Sequence, residues 1–387
     1  MRIAFIGQKG IPALSGGVEK YVEQIAKRMA QSGHEVTVYV RSHYTPATRN
    51  EWEGVRLVHT PGFHTKNLDA ITYTFTAVLH ALFQPYDIIH FQSIGPSTLA
   101  FIPRILKRNT LVIATFHSID YLHKKWSWLA RTFLRLGEWL ICRVPKRTLV
   151  VSKDLVRHTL EKHHRVATYI PNGATVQKTE AIDKLLAFGL KPERYILSVS
   201  RLVAHKGIQH LIKAFMQLED TNQLPNNFKL VIVGKEVDTM AYEQYLKTLS
   251  ENRDTILFLG EQTGEALEQL FSSAFVFVQP SEEEGLSIAL LEAMGHSLPI
   301  VASDIPANLE AVGVAATTFK SGDSEDLKKK LAYLINRPRE RERLGTEAKE
   351  RIQKEYSWDA ITQQILAVYA EEWEKKQGKT CAIRAVK

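Results

Sequence analysis

Two permanently charged side chains lie five residues apart in the stretch Ser200–Gly207. Arg201 follows a short apolar run, and Lys206 stands just before a segment with helical periodicity. Such a pair suits the two phosphates of a diphosphate, because neither cation has to lose a proton and the arginine fork matches phosphate oxygens. The alternative is a solvated loop with a lysine that caps a helix.

Two glutamates eight residues apart form a second candidate site. Glu284 precedes a helix that we predict over residues 286–295, and Glu292 lies two turns farther on. A carboxylate on such an apolar helix needs hydrogen-bond donors, which sugar or ribose hydroxyls would supply. The start of the helix also offers backbone N–H groups, those of Gly285, Leu286 and Ser287.

Two further stretches follow predicted strands in the first half of the chain. In the loop 7–17, Gly16 and Gly17 open a helix and let a ligand approach the backbone without a Cβ in the way. This loop matches neither the dinucleotide fingerprint nor a Walker loop, and a plain strand-to-helix connection is the alternative. His117 also follows a strand, and we interpret it as a substrate contact; a histidine satisfied by backbone groups is the alternative.

Short apolar runs that alternate with helical patterns would position these residues, as in a parallel sheet covered on both faces. In such sheets ligands bind beyond the carboxyl ends of the strands. The series breaks at Pro171-Asn172-Gly173 and then starts again, which predicts an α/β protein with two doubly wound Rossmann-like domains. The predicted strands are Arg2–Ile6, Val36–Val40, Ile88–Phe91, Leu111–Thr115, Thr148–Val151 and Ala167–Ile170, then Tyr195–Val199, Leu230–Val233, Ile256–Leu259, Phe275–Val278 and Ile300–Ala302.

Length and composition agree with two soluble domains. The chain has 387 residues, of which 44% are apolar and 24% charged, which excludes a mainly disordered chain or a coiled coil. Only two cysteines occur, too few for a disulfide framework. The short apolar run at the N-terminus does not resemble a secretory signal, so we expect a cytoplasmic protein. The domains are predicted at 1–172 and 173–356, with a tail helix in 357–387.

Charge divides unevenly between the two halves. Residues 1–172 hold 23 Lys and Arg against 11 Asp and Glu, whereas residues 173–387 hold 27 against 31. Residues 124–147 combine tryptophans, aliphatic residues and cations, a composition typical of an interfacial helix. We therefore expect an anionic membrane surface as a partner and a peripheral location on the inner face of the cell membrane. The alternative is that residues 124–147 form an ordinary helix that covers the sheet. Nucleic acid is not expected, because the cations are spread and no recognition motif accompanies them.

With these motifs assembled, the chain resembles the retaining nucleotide-sugar glycosyltransferases of family 4, which have the GT-B fold of two Rossmann-like domains facing across a cleft. The resemblance covers almost the whole chain, and its most specific element is the pair Glu284 and Glu292. A finer similarity, to bacterial rhamnosyltransferase-like enzymes of surface polysaccharide synthesis, rests on the opening loop and on the stretch from His117 to Trp126.

The resemblance implies a role for each matching residue. Arg201 and Lys206 would bind the donor diphosphate, with Gly16 and Gly17 near its distal phosphate. Glu292 would accept from the ribose, and the stretch Phe258–Gly260 would line the base. The transferred sugar would contact Glu284, Gly285, Leu286, Ser287 and His117. The tail helix would cross back onto the first domain.

The resemblance further implies a metal-independent hexosyl or deoxyhexosyl transferase without a cofactor, acting on a glycan or lipid-linked acceptor. The sequence contains no Asp-x-Asp, which agrees with a clamp made of cations. It departs from the family at Leu286-Ser287, where Phe-Gly is usual, so the sugar pocket is expected to be altered. The alternatives are a nucleotide-sugar epimerase of the same fold and a non-catalytic nucleotide-sugar binding protein.

Overall fold

The computed structural model describes residues 1–65, 68–122, 127–235, 240–250 and 253–378. The chain divides into two units, the first formed by Met1–Asn172 with Trp358–Lys387 and the second by Gly173–Ser357. The last helix therefore belongs to the first unit, although it follows the whole second unit in the sequence.

The first unit contains an eight-stranded sheet. Its strand order is β3-β4-β2-β1-β5-β6-β7-β8, and only the β3–β4 pair is antiparallel. Four consecutive residues of the central strand β1, from Ile3 to Ile6, are fully buried, as expected for a strand covered on both faces. The strands are β1 (Arg2–Ile6), β2 (Glu35–Arg41), β3 (Glu51–Trp52), β4 (Val55–Thr60), β5 (Ile88–Gln92), β6 (Leu111–Phe116), β7 (Arg147–Val150) and β8 (Thr168–Tyr169).

Helices cover both faces of this sheet. The connection from β1 to β2 runs in one direction along the sheet, and those from β4 to β5, β5 to β6 and β6 to β7 run in the other. Because such crossovers are right-handed, opposite directions place their helices on opposite faces. The helices are α1 (Gly17–Gln31), α2 (Asp69–Leu82), α3 (Ile94–Ser97), α4 (Phe101–Leu106), α5 (Trp128–Ile141), α6 (Lys153–His163) and, after the second unit, α15 (Trp358–Lys376).

Helix α15 packs against α1 and is tied to the first unit by polar contacts along its length. Near its start, Asp359 pairs with Arg28 at 2.6 Å. In its middle, the Tyr369 hydroxyl lies 2.6 Å from His90 Nδ1. Near its end, Glu372 accepts from Arg147 Nε at 3.1 Å.

The second unit has a six-stranded, all-parallel sheet in the order β11-β10-β9-β12-β13-β14. Its strands are β9 (Tyr195–Val199), β10 (Lys229–Val233), β11 (Ile256–Phe258), β12 (Val276–Gln279), β13 (Ile300–Ser303) and β14 (Thr317–Phe319). Its helices are α7 (Asp183–Ala187), α8 (Ile208–Asp220), α9 (Met240–Leu249), α10 (Gly264–Ser272), α11 (Ile288–Gly295), α12 (Pro306–Val312), α13 (Ser324–Ile335) and α14 (Pro338–Glu355). Leu211, Phe215 and Leu218 of α8 lie in its main core with Leu327 and Leu331 of α13.

The α/β prediction is confirmed, and β1 and β9 have the predicted bounds. Strands β3, β4 and β14 are absent from the predicted set, since their short or partly polar runs resemble loops. The predicted helix 286–295 starts two residues later, at Ile288, because Ser287 is its N-cap and accepts from Leu290 N at 3.3 Å. Residues 124–126 of the basic stretch lie outside the described residues. No helix in the described part of the chain is long and apolar enough to span a bilayer.

Candidate functional site

Two loops of the second unit meet at the carboxyl edge of its sheet. Residues 200–207 follow β9 and residues 280–287 follow β12, and these two strands are neighbours. The backbones touch directly, since Glu282 N donates to His205 O at 2.8 Å. Gly207, with φ +68°, lies so close to Pro280 that an added Cβ would be 2.0 Å from its carbonyl oxygen. Only glycine fits this crossing of the loops.

Lys206 and Glu284 form an ion pair between these loops. The Lys206 Nζ to Glu284 Oε1 distance is 2.6 Å, and only 12% and 8% of the two side chains are exposed. The same oxygen accepts from Gln279 Nε2 and from Ser281 Oγ, each at 2.8 Å. No described residue donates to the other oxygen, Oε2, so it can accept a hydrogen bond from a ligand hydroxyl.

Arg201 lies on the same edge, at the end of β9. Its backbone is fixed by the neighbouring loop, because Leu202 N donates to Lys235 O at 3.0 Å. Its guanidinium makes no ion pair or hydrogen bond with any residue in the described ranges and is only partly exposed. A fork of N–H donors in this position can bind an anion bidentately.

Gly260 brings a third strand end to this edge. Its carbonyl accepts from Gly234 N at 2.7 Å, which links the ends of β11 and β10. A Cβ on Gly234 would lie 1.8 Å from Ser200 O, so β10 in turn touches the loop that carries Arg201. The carboxyl ends of β11, β10, β9 and β12 therefore form one continuous edge.

Helix α11 contributes the remaining predicted residues of the second unit. Glu292 is half-buried on this helix. Leu286 is 5% exposed, so its side chain packs inward rather than facing solvent. The Ser287 hydroxyl serves as the N-cap. The N–H groups of Gly285 and Ser287 donate to no described residue, and they lie at the positive end of the helix dipole.

The glycine-rich loop of the first unit is held in shape by two buried glutamates and a half-buried tyrosine. Glu19 Oε1 accepts from Lys9 N at 2.9 Å and Glu23 Oε2 accepts from Ala13 N at 2.6 Å. The Tyr44 hydroxyl accepts from Leu14 N at 2.7 Å and from Ser15 N at 2.9 Å. This loop ends at Gly16, the N-cap with φ 96°, and Gly17 is the first residue of α1.

His117 is a buried residue directly after β6. Burial lowers its pKa to about 3, so the ring is neutral at physiological pH. Its Nε2 lies 2.9 Å from Gln92 Oε1, and its ring packs edge-on against Tyr21 of α1 at a centroid distance of 4.9 Å. Neutral His117 can donate or accept a hydrogen bond, but it cannot carry a proton to a leaving group near neutral pH.

Sequence reasoning missed the two glutamines that orient predicted site residues. Gln92 ends β5 and contacts His117; Gln279 ends β12 and contacts Glu284. Both are buried, with exposures of 0% and 2%. The available signal was a glutamine at the last position of an otherwise apolar strand, where a side chain reaches the carboxyl edge of the sheet.

Two clusters of described residues could hold a metal ion, and both belong to the first unit: His43, His64 and Asp69, and Glu138, His158 and His163. Each already contains a cation, since Arg41 pairs with Asp69 and Lys162 Nζ lies 2.8 Å from Glu138 Oε1. Neither cluster contains a predicted site residue.

Two family models match the chain. The model described as glycosyl transferases group 1 matches residues 183–351, and that described as glycosyltransferase family 4 matches residues 15–178. An MMP alpha-(1->4)-mannosyltransferase of Mycolicibacterium hassiacum is 26% identical and is matched over 95% of this chain and 98% of its own length.

Solved structures of similar fold cover nearly the whole chain. Sucrose-phosphate synthase from Thermosynechococcus elongatus superposes with a TM-score of 0.81 at 20% identity, over 97% of this chain and 99% of that one. Anabaena Alr3699/HepE, solved in complex with UDP-glucose, gives 0.78 at 21% identity, over 96% and 100%. These likenesses confirm the predicted GT-B fold.

Proposed function

Because this chain is a glycosyltransferase of the group 1 type with the GT-B fold, we propose that it moves a hexose or deoxyhexose from a nucleoside-diphosphate sugar to an acceptor hydroxyl, with retention of anomeric configuration. One observation carries the proposal: the Lys206–Glu284 pair lies on the same sheet edge as Arg201, whose guanidinium has no anionic partner among the described residues. The Anabaena protein solved with UDP-glucose supports a donor of this class.

The two cations would grip the diphosphate. Breaking the anomeric C–O bond leaves negative charge on the departing diphosphate, and Arg201 and Lys206 offer fixed positive charge for it. Lys206 has three N–H groups, and its 2.6 Å bond to Glu284 uses one of them. The pair therefore orders the ammonium while two N–H groups stay available for phosphate oxygens. Preorganised charge of this kind is typically worth about 10²–10³ in rate for each key group.

The carboxylates would hold the sugar hydroxyls. Glu284 is oriented by Gln279 and Ser281 through Oε1, which leaves Oε2 to accept from the transferred sugar. The N–H groups of Gly285, Leu286 and Ser287 would bind the same sugar. We assign Glu292 to the ribose and the segment that ends at Gly260 to the base.

The first unit would supply Gly16, Gly17 and His117 to substrate binding. Since burial lowers the pKa of His117 to about 3, its proposed role is a hydrogen bond from a neutral ring. It would not act as a general acid.

We propose a front-face substitution at the anomeric carbon, since none of the assigned residues is an evident covalent nucleophile. The bond from the anomeric carbon to the diphosphate oxygen breaks, and the acceptor oxygen bonds to the same face of that carbon. The acceptor proton passes to the departing phosphate oxygen. No metal is assigned to this reaction, because the proposed clamp consists of Arg201 and Lys206.

The proposed setting is bacterial polysaccharide or glycolipid synthesis, in the cytoplasm or on the inner face of the cell membrane. The acceptor would be a glycan or a lipid-linked sugar. The excess of cations in residues 1–172 supports an acceptor that carries phosphate or lies at an anionic surface.

The test is a transfer assay with a panel of nucleoside-diphosphate sugars, followed by NMR of the product. We expect release of nucleoside diphosphate that depends on an acceptor, and an anomeric configuration unchanged from the donor. Conversion of the donor without an acceptor would indicate an epimerase instead, and binding without release would indicate a non-catalytic protein. Lys206→Met should lower kcat/KM by about tenfold or more, whereas Lys213→Met, at an exposed position on α8, should not.

A further inference from the structure

Exposed apolar side chains are concentrated in the first unit. Of the 22 large hydrophobic residues exposed among the described ranges, 17 belong to that unit and 5 to the second. Eleven of them come from α2, α4, α5 and the residue after α2: Phe75, Leu79, Phe83, Phe101, Ile105, Leu106, Trp128, Leu129, Phe133, Leu136 and Trp139. Scattered single residues of this kind need no explanation, but a cluster on adjacent helices marks an interaction surface.

These helices lie side by side on one face of the sheet. The connections that contain α2, α4 and α5 run in the same direction along the strand order, which places them on the same face. Helix α2 packs against α3 and α4, and α3 packs against α5. The α3–α5 contact is close, since a Cβ on Gly137 would lie 2.3 Å from Ile94 O. We call the outward side of α2, α4 and α5 the docking face.

Helix α5 has an unusual distribution of side chains for a helix that covers a sheet. Its inner side buries Leu134, Gly137, Glu138 and Ile141. Its outer side presents Trp128, which is 75% exposed, and Leu129, which is 71% exposed. A covering helix on a soluble surface normally has polar residues at such positions.

The same region carries a strong positive charge. Residues 94–147 contain ten Lys and Arg against only two acidic residues, Asp120 and Glu138. One of the ten, Arg147, is paired with Glu371 and Glu372 of α15, which leaves nine. Glu138 is fully buried and is bound by Lys162 at 2.8 Å, so it does not offset the surface charge. Arg143 lies over the Trp139 ring at 4.7 Å, which puts a cation beside an exposed aromatic side chain.

We propose that the docking face binds an anionic lipid bilayer in a peripheral manner. Exposed tryptophans and aliphatic side chains would enter the interface, while arginines and lysines would contact anionic headgroups. A second copy of this chain fits less well, since two such faces would bring their positive charges together. This proposal rests on the proposed function, because it places the acceptor at the membrane surface. Vesicle binding can nevertheless be measured independently of sugar transfer.

The experiment is co-sedimentation of the full chain with two kinds of vesicle, phosphatidylcholine alone and phosphatidylcholine with about one third phosphatidylglycerol. We expect binding to the anionic vesicles and little to the neutral ones. Arg135→Gln with Arg143→Gln should weaken partitioning about fivefold for each charge removed, or about 30-fold together. Trp128→Ser with Leu129→Ser should weaken it about tenfold or more.

Matched controls come from exposed positions of the second unit. Leu309→Ser with Val314→Ser changes two exposed apolar residues, and Arg194→Gln with Lys213→Gln removes two exposed charges; neither should alter partitioning. A third test pair, Ile105→Ser with Leu106→Ser on α4, should weaken partitioning too, because the docking face extends beyond α5.

Three results would overturn the inference: equal sedimentation with both kinds of vesicle, loss of binding in the controls, or loss with the arginine pair but not with the apolar pairs. Light scattering on the same samples tests whether the docking face binds a second copy of this chain instead. A dimer that the docking-face substitutions dissociate, without vesicle binding by the unsubstituted chain, would identify a self-association surface. Donor binding in each variant is measured separately, so failure of the proposed function is distinguishable from failure to bind lipid.

Discussion

Acidification should weaken the first unit through two histidines that are buried without charge. Burial lowers the pKa of His90 and the pKa of His117, each to about 3. His90 is held between the Tyr369 hydroxyl at 2.6 Å and Thr115 Oγ1 at 2.7 Å. In the unfolded chain both rings take up a proton near pH 6.5, whereas in the folded chain they remain neutral.

The direction and size of the effect follow from these pKa values. Because the folded pKa is below the unfolded one, the stability contribution is complete above about pH 6.5 and declines as the pH falls from there toward about 3. Each histidine lowers the free energy of unfolding by about 1.4 kcal/mol per pH unit within this window. Between about pH 7.5 and about pH 5 the loss is about 2 kcal/mol for each ring and about 4 kcal/mol for both.

Tryptophan fluorescence isolates the relevant unit, since all six tryptophans lie in the first one. Urea unfolding at several pH values should show a loss of about 4 kcal/mol or more, since burial also lowers the pKa of His34 and the pKa of His43 in the same unit. His117→Gln should reduce the loss by about 2 kcal/mol. His164→Asn is the matched control, because this exposed residue has φ 53°, a conformation that asparagine tolerates. Glu138, whose pKa is about 2, changes the free energy of unfolding only at a pH below this range. An unfolding free energy that stays constant from about pH 7.5 to about pH 5, or a pH dependence that His117→Gln leaves unchanged, would show that these rings are not buried without charge.

Two further predictions concern the loops of the second unit. Lys206→Met should lower the free energy of unfolding by about 3–5 kcal/mol, because it leaves the Glu284 carboxylate buried without its cation. The double variant Lys206→Met with Glu284→Gln should recover part of that loss when unfolding is followed by circular dichroism. Equal losses in the single and the double variant would contradict the role of the ion pair. Gly207→Ala should destabilise the unit and weaken donor binding, since its Cβ would be 2.0 Å from Pro280 O. Gly189→Ala is the control, because Gly189 has a similar φ of +66° but no atom within 4 Å of an added Cβ. Its free energy of unfolding should fall by only about 1–2 kcal/mol. A decrease of the same size in Gly207→Ala would contradict the close approach of the loops.

The fold could be predicted where apolar runs are long and sharply bounded. Strands β1 and β9 are continuous buried runs that end at Gly7 and at the Ser200-Arg201 pair, so the pattern places their ends correctly. Strand β4 reads Val-Arg-Leu-Val-His-Thr, and its polar positions conceal a strand that lies one position from the sheet edge. Helix α11 starts later than expected, because the apolar Leu286 precedes the capping serine.

Some candidate site residues could be found from local spacing and others could not. Arg201, Lys206 and Glu284 lie in short motifs after strands, and adjacent parallel strands bring those motifs together. Tyr369 reaches His90 across 279 positions of sequence, and no local pattern indicates that contact. The supporting glutamines Gln92 and Gln279 are single residues at strand ends, where a polar side chain is easily taken as the end of the strand.

The proposed cation clamp is tested by calorimetric binding of UDP, GDP, ADP and dTDP, each compared with its nucleoside. We expect that one diphosphate binds well while its nucleoside does not. Arg201→Ala should weaken that binding about 10- to 150-fold, the loss expected for hydrogen bonds to a charged group, whereas Arg194→Ala, on an exposed side chain, should have no effect. Unchanged diphosphate affinity in Arg201→Ala would contradict the claim that fixed cations on this sheet edge hold the donor.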